Sequence, residues 1–204
     1  MLMIPAVLLA AGASARMGRP KLVLPTGVPG ETFASRILGT LNTAGADDLL
    51  MVVRPQSDVD AAIAGVRVPV RILVNSDPET GQLSSLLLAL NVIDRPGVSG
   101  LLVALVDVPL VSVATVRAVL AAYRASAAPI VRPVDGGRHG HPVIFDRAVF
   151  DELRRANPRT GAKAIVQAHL TEIVGVPVAD EGAFVDIDTP LDYERWFGRR
   201  VEDV

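Results

Sequence analysis

The sequence predicts an α/β fold in which a mostly parallel β-sheet carries helices on both faces. Two observations lead to this prediction. Short runs of apolar and β-branched residues recur along the 204-residue chain, and most of them are separated by stretches with helical spacing. Continuous apolar strands are typical of parallel sheets that are buried on both faces. Half of the residues are hydrophobic, which is enough for a sizeable core.

Six apolar runs are interpreted as the strands of this sheet, at residues 6–11, 49–53, 70–74, 101–106, 129–134 and 172–176. They are short and bounded by polar or glycine-containing segments, as strands are. The alternation weakens after Asp135, where "DGGRHGHP" is interpreted as a polar loop. We therefore expect one doubly wound domain over residues 1–204 with a modified C-terminal third.

Helices are predicted between these strands. Phe33, Ile37 and Leu41 recur on one helix face, and Gly45 is a suitable C-cap. Ser112 is placed to cap the start of another helix. Further helices are expected after Gly81 and at residues 148–156 and 162–169.

Composition excludes several classes of function. The formal net charge of −2 predicts no bulk attraction to nucleic acid or to an anionic membrane. The chain has no cysteine, which excludes disulfides, thiolate metal sites and a cysteine nucleophile. The apolar run at residues 4–11 is too short for a membrane span and lacks the basic flank of a signal peptide. We expect a cytoplasmic protein.

The loop after the first strand combines flexibility with positive charge. In "AVLLAAGASARMGRPKLVLP" the strand leads into Gly12, small residues and the cations Arg16, Arg19 and Lys21. Ligands of α/β sheets bind outside the carboxyl ends of the strands. Gly12 would let the backbone approach a ligand, free N–H groups could hold phosphate, and Arg16 and Lys21 would supply countercharge. The glycine and proline neighbours of Lys21 predict little packing role for it.

The spacing of this loop fits neither of the two common phosphate-binding motifs. A Rossmann fingerprint requires G-x-G-x-x-G, but Ala13 and Ser14 follow Gly12. A Walker A loop requires four residues between its glycines, whereas five separate Gly12 from Gly18. Leu22 also follows Lys21 where that motif requires Ser or Thr.

Five segments follow one another along the chain: "LLAAGASARMGRPK", "ETGQLSSL", "LVDVPLV", "GRHGHPVIF" and "DIDTPLDYE". The first is similar to the signature L-A-A-G-x-S-x-R-M-G-x-x-K. In this order the five resemble the MobA-like nucleotidyltransferases, and most closely their molybdenum cofactor cytidylyltransferase branch. The resemblance spans residues 4–195 and implies a single GT-A-like, Rossmann-like domain.

The resemblance implies transfer of CMP from CTP to molybdopterin, with Mg²⁺ and release of pyrophosphate. It also implies a molybdenum hydroxylase as the partner that receives the product. It suggests Arg16, Lys21 and Asp107 as catalytic residues. The residues expected to bind nucleotide or acceptor are Leu9, Ala10, Ala11, Gly12, Lys21, Asn75, Ser84 and His141.

Asp107 and one aspartate of "DIDTP" are the expected metal ligands. Asp107 ends a buried apolar strand at the ligand edge, where an aspartate is costly unless something pairs with it. The resemblance implies that Asp186 or Asp188 completes the site, and Asp188 is favoured because it directly precedes Thr-Pro. Val106 and Val108 replace the glycine and glutamine of the family pattern, which bears on the acceptor more than on the nucleotide.

Structural roles compete with these assignments. Asp107 could be a helix N-cap, and Asp188 or Thr189 could cap the last helix. Ser84 could likewise cap a helix, and His141 could serve loop packing. With no cysteine to join them, His139 and His141 are not expected to form a structural zinc site.

Four functions remain open. Besides cytidylyl transfer to molybdopterin, the chain could use another small phosphorylated acceptor. It could also be a nicotinamide-dependent oxidoreductase on the same scaffold, although G-x-G-x-x-G is missing, or a non-catalytic carrier of the cofactor. A guanylyl variant is disfavoured because Ala11 stands where that branch has glycine.

Overall fold

Eight strands form one mixed sheet in the computed structural model, which describes residues 3–203. The strand order is β3-β2-β1-β4-β7-β5-β6, with β8 paired to β5. Strands β1 to β4 are mutually parallel, whereas β7 lies antiparallel between β4 and β5. The strands are β1 Ala6–Ala10, β2 Leu49–Val53, β3 Arg71–Val74, β4 Gly100–Leu105, β5 Ile130–Asp135, β6 Arg138–His139, β7 Val143–Asp146 and β8 Val174–Pro177.

Seven α-helices cover this sheet within the described residues. As predicted, α1 ends at Gly45, whose φ of 96° is left-handed, and Ser112 caps α4 by accepting a hydrogen bond from the Thr115 amide. No helix in residues 3–203 has both the length and the apolar character needed to cross a membrane. The helices are α1 Phe33–Ala44, α2 Val59–Ala62, α3 Gln82–Ile93, α4 Val113–Ser126, α5 Phe150–Arg155, α6 Ala162–Ala168 and α7 Pro190–Phe197.

The side chains of β1 alternate between two hydrophobic layers. Ala6, Leu8 and Ala10 pack with α1, α4 and α7 on one face. Val7 and Leu9 pack with α3, α5 and α6 on the other. A strand buried on both faces needs apolar residues at every position, which is why β1 is a continuous apolar run. The predicted fold class is confirmed.

The interpretation of "DGGRHGHP" as a loop was wrong in part. Asp135 ends β5, a tight turn at Gly136 (φ 57°) leads into β6, and β7 follows directly. β7 then inserts between β4 and β5. At Gly100, opposite β7, an added Cβ would lie 2.8 Å from the Phe145 carbonyl oxygen, so the close approach of the two strands requires glycine.

Candidate functional site

The carboxyl ends of β1 and β4 lie side by side. The two strands are parallel with Leu9 opposite Leu105, and the Val106 amide donates to the Leu9 carbonyl at 3.2 Å. The segments that carry Gly12 and Asp107 therefore leave the sheet at the same edge. In α/β sheets this edge is where ligands bind.

The loop after β1 is held in a fixed turn. The backbone of Ser14 has a left-handed φ of 52°. Its carbonyl oxygen accepts hydrogen bonds from the amides of Met17 and Gly18 at 3.0 and 3.1 Å. Met17 is 2% exposed and anchors the loop in the core. The Ser14 hydroxyl accepts from the Lys21 amide at 3.2 Å, which connects the two ends of the turn.

Lys21 is buried and paired, in contrast to the small packing role predicted for it. It begins a short 3-10 helix, Lys21–Val23, and only 7% of the residue is exposed. Its Nζ lies 2.5 Å from Asp188 Oδ1 and 3.9 Å from Asp107 Oδ2. A buried ammonium requires such partners, so loss of its nearest carboxylate would leave a buried charge poorly compensated.

Arg16 adds a second cation to Asp188, on the side that faces solvent. Its guanidinium lies 2.8 Å from Asp188 Oδ2, and its side chain is 72% exposed. The two oxygens of Asp188 are thus divided between one buried and one exposed cation. Both cations suggested from the sequence face this carboxylate.

The segment with Asp186 and Asp188 is attached to the end of β4 by its backbone. The Ile187 amide donates to the Asp107 carbonyl at 2.7 Å, and the Ile187 side chain is fully buried. This bond brings together aspartates that are far apart in the sequence.

Other residues provide the helix caps that the two aspartates might have supplied. Thr189 caps α7 in a reciprocal arrangement with Asp192, whose carboxylate accepts from the Thr189 amide at 2.8 Å. Ser112 caps α4. Capping therefore does not account for Asp107 or Asp188.

Burial raises the pKa of Asp107 above its ordinary value. The positive charge of Lys21 opposes this effect, and the negative charge of Asp188 adds to it. Burial also raises the pKa of Asp186, reinforced by the charge of Asp107. The Oδ1 atom of Asp107 is buried and accepts no hydrogen bond from any described residue. An orphaned carboxylate oxygen of this kind is costly and suits a cation.

The group fits a hard divalent cation that also binds substrate oxygens. Mg²⁺ is commonly bound through one or two carboxylates together with phosphates and water. Asp107 and Asp188 supply two carboxylates beside Lys21, and Asp107 Oδ1 is without a partner. Within residues 3–203, no three His, Asp or Glu side chains converge to hold a metal ion by themselves.

Three connected cavities follow this edge of the sheet. The loop cavity, about 160 Å³, is lined by Gly12, Lys21, Asp107 and Asp188 among others. The middle cavity, about 240 Å³, shares Gly12 and Asp107 with it. The large cavity, about 480 Å³, shares four lining residues with the middle one: Leu9, Gly81, Gln82 and Leu105.

Successive side chains of β1 point to opposite faces of the sheet, so the residues suggested there as nucleotide contacts do not all face the cavities. Leu9 lines the large and middle cavities, and Ala11 lines the middle one. The Ala10 side chain lies in the hydrophobic layer of α1 on the opposite face. Only the backbone of Ala10 could therefore contact a ligand at this edge, and its assignment to the nucleotide site stays a prediction.

Asn75 and Ser84 support the start of α3 and lie outside the lining of these cavities. The Asn75 amide donates to the hydroxyls of Ser84 and Ser85 at 2.8 and 2.9 Å. The Ser84 hydroxyl donates to the Gly81 carbonyl at 2.7 Å. The neighbouring Ser85 lines the middle cavity instead. The orientation of the first turn of α3 decides which of the two serines faces the site. The residue pattern alone could not predict this.

His141 lines the large cavity together with His139. Its amide donates to the Ala183 carbonyl at 2.9 Å, and its Nδ1 is buried without a hydrogen-bond partner. Burial lowers the pKa of the imidazole, which favours the neutral ring. Sequence reasoning missed Arg132 and Lys163, which line the same cavity. Each is an isolated cation in an unremarkable local pattern, so no short motif pointed to them.

Val106 and Val108 differ in where their side chains lie. Val106 lines the loop and middle cavities next to Asp107. Val108 is 2% exposed and lines none of the three. Of the two departures from the family pattern, only the valine at position 106 therefore changes the surface of the site.

Comparison with known proteins gives one family and several relatives. The MobA-like NTP transferase domain matches residues 6–173. Nicotine blue oxidoreductase of Paenarthrobacter nicotinovorans is 31% identical over 90% of this chain and 91% of its own. Purine catabolism protein PucB of Bacillus subtilis is 28% identical over 92% of this chain and 93% of its own.

A solved structure is similar over nearly the whole chain. Rv0371c of Mycobacterium tuberculosis superimposes with a TM-score of 0.78 at 30% identity, covering 97% of this chain and 98% of that one. A second structure of Rv0371c, in complex with manganese, gives a TM-score of 0.72 over 96% and 98%.

Proposed function

The chain belongs to the MobA-like NTP transferase family, and on that premise we propose that it transfers CMP from CTP to molybdopterin with Mg²⁺. One observation carries the proposal. A glycine loop, a buried lysine and two carboxylates meet where β1 and β4 end, with connected cavities on either side of Asp107.

In this proposal the triphosphate occupies the loop cavity. The cations Arg16 and Lys21 neutralise its phosphates, and Gly12 allows the backbone to approach them. Positioning and charge neutralisation supply most of the catalysis in such a transfer. The base and ribose then extend into the middle cavity beside Ala11.

The divalent ion would be held by Asp107 and Asp188 together with phosphate oxygens. When bound, it supplies positive charge that offsets the charge developing on the leaving pyrophosphate. The solved complex of Rv0371c with manganese supports the use of a divalent ion. Lys21 pairs with Asp188 in the protein alone, so it is placed to reorient toward the phosphates when they arrive.

The transfer itself is an in-line displacement. An oxygen of the acceptor's phosphate attacks the α-phosphorus of CTP and forms a new P–O bond. The bond from the α-phosphorus to the bridging oxygen breaks, and its electron pair leaves with pyrophosphate. The molybdenum hydroxylase partner and the cytoplasmic location stay predictions from the sequence.

Pyrophosphate release tests the proposal. Purified protein is incubated with Mg²⁺, molybdopterin and each nucleoside triphosphate in turn, and product mass is measured in parallel. We expect release that requires both CTP and molybdopterin. If molybdopterin gives none but another small phosphate ester does, the acceptor is wrong and nucleotidyl transfer stands. If no acceptor gives release above background, nucleotidyl transfer is wrong.

A second candidate is favoured by one relative. The 31% identical protein of Paenarthrobacter nicotinovorans is named for an oxidoreductase activity on nicotine blue, so a nicotinamide-dependent reduction is the alternative. Oxidation of NADH or NADPH in the presence of nicotine blue would support it. The missing G-x-G-x-x-G loop speaks against it.

A further inference from the structure

The large cavity combines an apolar wall with cations that have no carboxylate partner among the described residues. Leu83, Val143 and Phe145 belong to its apolar part. Arg132, Arg159 and Lys163 also line it, and no aspartate or glutamate of residues 3–203 does. A cavity of about 480 Å³ lies within the size range of small-molecule sites.

None of these three cations forms an ion pair with a carboxylate in residues 3–203. Arg132 is the most informative, because its Nε is buried and donates no hydrogen bond to any residue of 3–203. Burial lowers the pKa of its guanidinium. A buried N–H group without an acceptor is costly, and an anion in the cavity would supply the missing acceptor.

The start of α3 lies in the same wall. α3 begins at Gly81 without a side-chain cap, and Gly81, Gln82 and Leu83 line the cavity, so amides of its first turn have no side-chain acceptor. The buried Nδ1 of His141 is also unpartnered.

We propose that the large cavity binds the acceptor as an organic phosphate, with the phosphate held by Arg132 and Lys163 and a flat or apolar body against Leu83 and Phe145. This inference rests on the proposed function for the reaction that follows binding, but binding itself can be measured without turnover. It assigns to Arg132, Arg159 and Lys163 a role in choosing an anionic acceptor.

The first test is equilibrium binding of 1-naphthyl phosphate and its uncharged analogue 1-naphthol to the full chain, followed by fluorescence. We expect the phosphate ester to bind at least about 10-fold more tightly than the alcohol, since charge-assisted hydrogen bonds carry the difference. Arg132→Gln and Lys163→Gln should each weaken binding of the ester by about 10- to 100-fold and leave the affinity for the alcohol unchanged.

The controls locate the site. Arg155→Gln removes an exposed cation of α5 that does not line the cavity, and should bind the ester like wild type. Lys163 is exposed, so the Lys163→Gln variant keeps the test valid if Arg132→Gln fails to fold. Equal affinity for ester and alcohol overturns the proposal. The proposal is also overturned if the affinity for the ester falls in Lys21→Met but stays at the wild-type value in Arg132→Gln and Lys163→Gln.

Turnover separates this inference from the proposed function. If ester binding depends on Arg132 and Lys163 but no nucleotide is transferred to molybdopterin, the cavity assignment holds and the proposed function fails. If transfer proceeds with an unchanged KM for molybdopterin in Arg132→Gln and Lys163→Gln, the proposed function holds and the cavity assignment fails.

Discussion

The Nζ of Lys21 lies 2.5 Å from Oδ1 of Asp188, although the two residues are 167 positions apart. This pair joins the loop after β1 to the segment before α7. Lys21 also lies 3.9 Å from Asp107, so one buried ammonium serves both carboxylates. The charge balance of the site and the stability of the fold are therefore linked through Lys21.

A double-mutant cycle of Lys21→Met and Asp188→Asn should reveal this link. Each single change removes the nearest partner of a buried or half-buried charge and leaves only Arg16 beside Asp188 or the more distant Asp107 beside Lys21, so both should lower the free energy of unfolding. In the double variant the two effects should be less than additive, with a coupling of about 0.5–3 kcal/mol. Denaturant unfolding measures all four proteins. The exposed pair Arg54 and Glu79, at 2.7 Å, is the control and should couple by about 0–1 kcal/mol.

Asp107→Asn should separate stability from activity. Burial raises the pKa of this carboxyl, so removing its charge at neutral pH should leave the melting temperature unchanged or raise it. Turnover should fall by at least about 10²–10³, as when one transition-state stabilising group is lost. Rates across a Mg²⁺ titration should recover in part at high Mg²⁺. Wild-type turnover in this variant would remove Asp107 from the mechanism.

Gly12→Ala should impair nucleotide binding without harming the fold. An added Cβ meets no protein atom within 4 Å, and Gly12 has no left-handed φ to lose. Stability should be unchanged or rise by about 0.4–1 kcal/mol, because alanine restricts the unfolded chain. Calorimetry should show weaker CTP binding, since Gly12 lines the loop and middle cavities. Gly137→Ala, equally free of contacts but outside the cavities, should bind CTP normally.

Ala11→Gly should reduce the preference for CTP over GTP. The Ala11 methyl group lines the middle cavity, and one methyl in a pocket is worth about 1–3 kcal/mol, or roughly 10- to 200-fold. Competition between the two nucleotides measures the ratio. Ala10→Gly provides the contrast, because its side chain packs in the core on the other face and should affect stability alone. An unchanged ratio in Ala11→Gly would rule out base selection by this methyl.

His169 should make stability depend on pH. Its ring nitrogens lie 2.9 Å from Glu152 and 3.0 Å from Glu172. The hydrogen bond to Glu152 raises the pKa of His169 in the folded protein, against the opposing effect of burial. The stabilisation is therefore complete below the unfolded-state pKa of about 6.5 and is lost as pH rises through the folded-state pKa.

Thermal melts from about pH 6 to pH 8 test this dependence. The melting temperature of wild type should fall with pH relative to His169→Gln, by an amount that corresponds to about 1 kcal/mol or less. Glu152→Gln should remove most of the same dependence, and Asp151→Asn should retain it. Parallel curves for wild type and His169→Gln would show that the contact is energetically neutral.

Local features of the sequence determined much of the architecture. The continuous apolar run of β1 reflects burial on both faces, and Gly45 and Ser112 have the predicted capping roles. Each of these features is visible in a few consecutive residues, so a short window contains the information needed to predict it. The loop after β1 and the aspartate after β4 could be predicted as neighbours, because parallel strands end at a common edge.

Tertiary structure alone decided which side chains meet across that edge. The sequence indicated Asp107 and Asp188 but could not show that Lys21 is buried beside them. It also gave no sign that β7 inserts between β4 and β5, or that Arg132 and Lys163 line one cavity. The physical reason is that these relationships depend on where distant segments pack. Burial, charge pairing and unpartnered donors are properties of the assembled surroundings of a residue and not of its neighbours in the chain.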